Sequence, residues 1–89
     1  HTTTEKEAWA QAMVGAEFIS EGNFQDALVI ADQALAKFPQ CKEAWLVKGG
    51  ALAAMNRLPE ALACYENALE IDPGYKEALI QKDIVLQSM

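Results

Sequence analysis

Basic charge is what this chain has least of. Seven Lys and Arg stand against thirteen Asp and Glu, for a formal charge of −6. Duplex nucleic acid and anionic membrane are held by clustered Lys and Arg that release counterions. No basic run occurs anywhere, so neither is expected as a partner. Long apolar runs are missing too, so no segment is expected to span a bilayer. The first residues show no charged region followed by an apolar stretch, and no signal peptide is expected. The chain opens with His1 instead of Met, which reads as a tag remnant or a processing site and leaves room for a longer parent.

Catalytic raw material is equally thin. His1 is the only histidine, so no Ser-His-Asp or Cys-His arrangement can be assembled, and no paired carboxylates or phosphate loop stand out. Gly49-Gly50 falls inside a helical pattern with no strand before it, which is no phosphate-binding turn. Cys41 and Cys64 lack metal-ligand spacing, and Cys64 has no basic neighbour to lower its pKa. Both read as reduced, small apolar residues, which leans towards a cytoplasmic setting. No enzyme, no cofactor and no metal is expected. Strand signals are absent as well: there is no polar/apolar alternation and no Asn-Gly or Asp-Gly turn.

What is present is helical periodicity in a chain that is 52% hydrophobic and 89 residues long, one domain at most and of modest stability. Thr4 and Glu7 have the spacing of a capping box, and Trp9, Ala12, Met13, Ala16, Ile19 with Val14 and Phe18 carry a first helix. Gly22-Asn23 breaks it, and Asn23 is placed to cap a second helix with Phe24, Ala27, Leu28, Ala31, Ala34 and Leu35 on one stripe. Pro39 stops that helix. A third covers about 42–54, Asn56-Arg57 makes a turn, and Pro59 opens a fourth that bears Ala61, Leu62, Tyr65, Ala68 and Leu69. Asp72-Pro73-Gly74 ends it, and a fifth runs from about Tyr75 to Gln87. Short loops make neighbouring helices antiparallel, so an all-α architecture is expected.

These helices repeat. Sliding 8–41 onto 42–75 pairs Ala10 with Ala44, Gly15 with Gly49, Ala27-Leu28 with Ala61-Leu62, Ala34-Leu35 with Ala68-Leu69, and Pro39 with Pro73. Lys42-Glu43-Ala44 returns as Lys76-Glu77-Ala78. A fixed period of 34 residues marks units that bury their apolar faces on one another. The small residues of the period would sit where facing helices approach closest, with Phe18, Leu52, Phe24 and Tyr65 filling the remaining volume.

The second unit, with Ala44-Trp45, Gly49, Leu52, Asn56, Ala61, Tyr65, Ala68-Leu69 and Pro73, resembles a tetratricopeptide repeat. The first unit keeps Gly15, Phe18, Gly22, Ala27, Ala34 and Pro39. It departs at Gln11, where the family's Trp falls, and at Ala31, where an aromatic is usual; Lys48 stands where Leu is usual. Residues 76–89 resemble the first helix of a third unit. The resemblance implies a right-handed α-α superhelix of antiparallel helix pairs: one domain over 1–89, with units at about 8–41 and 42–75 and a terminal helix over 76–89.

The resemblance also implies binding of a protein or peptide in a concave groove. The lining would come from Trp9, Ala12, Met13, Ala16 and Ile19, from Glu43, Leu46, Val47, Gly50 and Ala54, and from Glu77, Ile80, Gln81 and Ile84. Such a groove suits an amphipathic helix or an apolar extended segment. For Leu46, Val47 and Leu52 core packing is the preferred role, and a solvated helix start accounts for Glu43 and Glu77. The family's carboxylate clamp for acidic chaperone tails would fall on Ala12, Ala16, Val47 or Gly50, Glu77 and Gln81, none of them a clamp side chain. Acidic-tail binding is therefore not expected. The alternative is an assembly module or a piece of a longer array: Leu79, Ile80, Ile84, Val85, Leu86 and Met89 leave the last helix little polar surface, so an apolar patch and self-association through it are expected.

Overall fold

The computed structural model describes residues 2–89, with side chains from Glu5 onward. Five helices follow the periodicity: α1 Thr2–Ser20, α2 Phe24–Lys37, α3 Lys42–Ala54, α4 Leu58–Ile71 and α5 Lys76–Ser88. Among the described residues there is no strand. The α1 helix begins before Thr4, so Thr4 does not open it; its side chain, like His1, lies outside the described residues.

The turns inside each helix pair are built alike, one period apart. Gly22 and Asn56 hold left-handed backbone, at φ 85° and 62°. In the first turn, Asn23 N–H donates to Phe18 O at 2.8 Å and Gly22 N–H to Ile19 O at 3.0 Å. In the second, Arg57 N–H donates to Leu52 O at 2.8 Å and Asn56 N–H to Ala53 O at 3.0 Å. This is the Schellman closure of a helix end. Its left-handed residue is Gly or, less often, Asn, because a β-carbon is tolerated poorly there. Asn23 does stand at the start of α2, but it makes no side-chain cap; its amide reaches Glu21 Oε1 at 3.4 Å instead.

The helices form two layers. Each packs on its neighbour in sequence, α1 also touches α3, and α3 touches α5, whereas α2 and α4 do not meet. Contact between alternate helices on one side only draws α1, α3 and α5 together and curves the array towards them. Small side chains permit this. Ala8, Ala12, Ala27, Ala31, Ala34, Ala44, Ala51, Ala61, Ala68 and Ala78 are all fully buried. Tyr65 is the one large side chain wholly enclosed among the described residues, and its ring lies against Gly49. Gly15 lets α3 approach so closely that an added β-carbon would sit 2.7 Å from Val47 Cγ1.

Ion pairs tie the units together. Lys48 Nζ lies 2.8 Å from Asp32 Oδ1, and Lys82 Nζ lies 3.7 Å from Glu66 Oε2, the same pair shifted by one period. Lys48, in place of the usual Leu, thus reaches over the Trp45 ring to an acid on the preceding helix pair. Trp45 is itself held by a hydrogen bond from Nε1 to Pro39 O at 2.9 Å.

Candidate functional site

On the concave side, α1, α3 and the start of α5 enclose a cleft of about 590 Å³. Trp9 and Met13 come from α1, Glu43 and Leu46 from α3, and Glu77 from α5. Trp9 is 53% exposed, unusual for the largest apolar side chain. A second hollow of about 640 Å³ adjoins across Trp9, between the start of α1 and the α2–α3 turn.

Farther along α5, Ile80 and Gln81 follow Glu77 by three and four residues and Ile84 by seven, so they continue its face. Ile80, at 57%, and Ile84 are exposed, as is Gln81. Ala16 and Ala54 are also open to solvent, while Ile19, Leu46, Glu43 and Gly50 are half-buried; a β-carbon on Gly50 would meet Ile19 Cδ1.

Two expected lining residues are not on this surface. Ala12 is fully buried, its methyl too short to emerge from the junction of α1 with its neighbours. Val47 takes the core role also read for it: it is buried because its Cγ1 points at Gly15 and fills the space that glycine leaves. Val14, one of the apolar residues that carry the period of α1, is exposed.

The polar end of the cleft contains residues to which the sequence reading gives no place in the groove: Lys42, Asp72 and Tyr75. Lys42 Nζ donates to Asp72 Oδ2 at 2.5 Å and lies over the Tyr75 ring, 4.9 Å from its centroid. That bond holds the Asp72 carboxyl below the usual carboxylate range and the Lys42 ammonium above its ordinary value. Burial, aided by the Glu43 and Glu77 charges, pushes the Tyr75 phenol up to about 12, so it stays neutral. The Lys42 cation is thus already partnered, and of the remaining charged side chains at the mouth two, Glu43 and Glu77, are acids and one, Lys76, is a base. A pairing between residues 30 apart is a tertiary fact that no local pattern announces.

Burial pushes the Cys64 thiol up to about 11 and raises that of Cys41, and both are free. Among the described residues no three His, Cys, Asp or Glu side chains converge to hold a metal ion. No helix there is long and apolar enough to cross a membrane.

Comparison with known proteins agrees with this geometry. Two nematode proteins named protein adenylyltransferase fic-1, from Caenorhabditis briggsae and Caenorhabditis elegans, are each 35% identical over 75 residues. The match takes in 84% of this chain but only 15% of either relative's length. Among solved structures, the first TPR of Spaghetti (RPAP3), bound to the HSP90 peptide SRMEEVD, superposes with a TM-score of 0.85 at 23% identity. It covers 91% of this chain and 64% of that one. The TPR2AB domain of yeast Sti1, in complex with an HSP90 peptide, gives 0.84 at 23% identity, over 99% of this chain and 33% of that one. At that identity both speak for the fold alone. The family profile matches residues 15–76, across both left-handed turns and both buried glycines, and with the antiparallel helix pairs it establishes that the chain belongs to the tetratricopeptide repeat family.

Proposed function

We propose that the chain is a non-enzymatic interaction scaffold that takes an amphipathic helix or apolar peptide segment along α1, α3 and α5. On this reading it comprises two full repeats, 8–41 and 42–75, and one helix of a third, 76–89. The observation that carries the reading is Trp9, half open to solvent beside Met13 and Leu46 on the concave side. Exposed Trp is the residue type from which interfaces draw most energy, and apolar side chains laid over it would be driven there by burial. Ile80 and Ile84 extend the apolar strip along α5, and Glu43 with Glu77 outnumbers Lys76 and favours a cation near one end of the ligand.

The HSP90 peptide SRMEEVD carries three carboxylate side chains of its own. The family's clamp positions here hold Ala12, Ala16, Val47 or Gly50, Glu77 and Gln81, with no cation among them, so we assign this groove to a ligand other than an acidic tail. The adenylyltransferase activity in the relatives' name is not carried over, because the aligned part is 15% of those proteins. A second reading, self-association, rests on a different face of α5, where Leu79 and Leu86 lie uncovered.

Selection from a displayed library of random peptides tests the groove. Enriched sequences should be amphipathic and apolar, with Lys or Arg towards one end, and Trp9→Ala should weaken their binding at least about tenfold. Enrichment of acidic C-terminal sequences, or binding indifferent to both Trp9→Ala and Ile80→Asp, would overturn it.

A further inference from the structure

The α5 helix has three faces. Ala78 and Val85 are buried against α3 and α4, and Glu77, Ile80, Gln81 and Ile84 continue the groove. The third bears Leu79, Lys82, Asp83 and Leu86 around a hollow of about 470 Å³ that Ile80, at the border with the groove face, also lines. Leu79 and Leu86 are 47% and 48% exposed. One period earlier, Leu86 corresponds to Leu52, which is 3% exposed because α4 covers that face of α3. Among the described residues, no helix lies on the equivalent face of α5.

A helix like α4 does not fit there. Asp83 falls where Gly15 and Gly49 fall in the first two units. At Gly49, a β-carbon would already stand 2.8 Å from Tyr65 Cδ1 and closer still to Cε1. An aspartate at that place excludes a partner helix with an aromatic in register and calls for a small or cationic residue opposite.

The stripe supplies that cation itself. Leu79, Lys82, Asp83 and Leu86 lie at i, i+3, i+4 and i+7, on one face of the helix. The order apolar, cation, anion, apolar reverses into apolar, anion, cation, apolar. An antiparallel pair of such stripes is therefore complementary at every position. We propose that this face is an isologous interface between two copies of the chain, with α5 packed antiparallel on α5 of the other copy about a two-fold axis between residues 82 and 83. Leu79 then meets Leu86 of the other copy, and Lys82, whose contact with Glu66 of its own chain is a long 3.7 Å, turns to Asp83 of the other copy, each contact occurring twice. Leucine burial drives the contact, and the charges fix its direction. In a parallel pair, Lys82 would face Lys82 and Asp83 would face Asp83. The second copy's helix takes the side of α5 that α4 takes on α3. Leu79 to Leu86 spans only about 10 Å of helix, so the association is reversible and concentration-dependent. The proposal rests on the self-association reading above, to which it gives a face and a register, and does not depend on what the groove binds.

Sedimentation equilibrium of the chain at physiological ionic strength, from about 10 μM to about 1 mM, tests it. The weight-average mass should climb from the 9.7 kDa of one chain towards about twice that. Asp83→Lys and Lys82→Glu, each with parental helix content by circular dichroism, should each raise the dissociation constant at least about tenfold. Mixing the two variants in equal amounts should restore association. The stripe of the first then carries only cations and that of the second only anions, and the two face each other in antiparallel register. A parent chain monomeric throughout overturns the proposal and leaves the face to a helix from elsewhere. So does association that ignores both substitutions, which would put the contact on another surface, and so does a mixture no more associated than its components.

Discussion

A methyl group added to Gly49 would press on the Tyr65 ring, whereas one added to Gly50 would lie 3.3 Å from Ile19 Cδ1, the free end of a half-buried side chain. Alanine is favoured over glycine in a helix by up to about 1 kcal/mol, and overpacking a rigid core costs about 1–3 kcal/mol. Gly49→Ala should therefore destabilise the fold by about 1–2 kcal/mol, and Gly50→Ala should stabilise it by about 0.5–1 kcal/mol, read from urea midpoints. Equal shifts of one sign would contradict the packing described. Cys64, buried and with its pKa near 11, should resist alkylation at pH 8 until the chain unfolds. Rapid labelling of folded protein would show that α4 does not hold this side chain in the cluster with Leu52 and Val85. The family position carries Ala12 into the groove because it says which face a residue occupies, not how far its side chain reaches, whereas the core role read for Val47 agrees with its burial. Ala12 has one carbon to offer, and Val47 spends its branch on the gap at Gly15.

Between elements, the period shows itself most clearly in pairs that have no local signature. The bounds of α3 agree with the spacing at both ends, and Gly22 and Asn56 mark the two tight turns, because helix breaks are local chemistry. Lys48 is a departure only in isolation; Asp32 to Glu66 and Lys48 to Lys82 share the offset and are legible as one repeated ion pair. The clasp between Lys42 and Asp72, from the start of α3 to the end of α4, is not legible, since it needs the hairpin closed first. It gives the acid response a sign. Asp72 has a lower pKa folded than unfolded, chiefly through the Lys42 hydrogen bond. Its stabilising contribution is therefore complete above the ordinary carboxylate range, about pH 4, and is lost as the pH falls through the lower folded value. Asp72→Asn should lower the urea midpoint at pH 6 and flatten its decline between pH 5 and pH 3. A parallel decline in both proteins would remove Asp72 from the acid limb.

At the scale of the molecule, contact among α1, α3 and α5 without contact between α2 and α4 gives the array a concave side, and Trp9 stands on it uncovered. Its two tryptophans provide a direct readout, because Trp9 faces the groove while Trp45 is tied to Pro39 O. The indole N–H resonances of the labelled chain, followed during titration, test whether the groove takes an apolar ligand. With an amphipathic apolar helical peptide bearing a terminal Lys, the Trp9 signal should shift and saturate together with the amides around Ile80 and Ile84, while Trp45 holds still. With SRMEEVD at the same concentrations neither indole should move. Saturating shifts produced by SRMEEVD, or an apolar peptide that moves Trp45 and leaves Trp9 unchanged, would contradict the account.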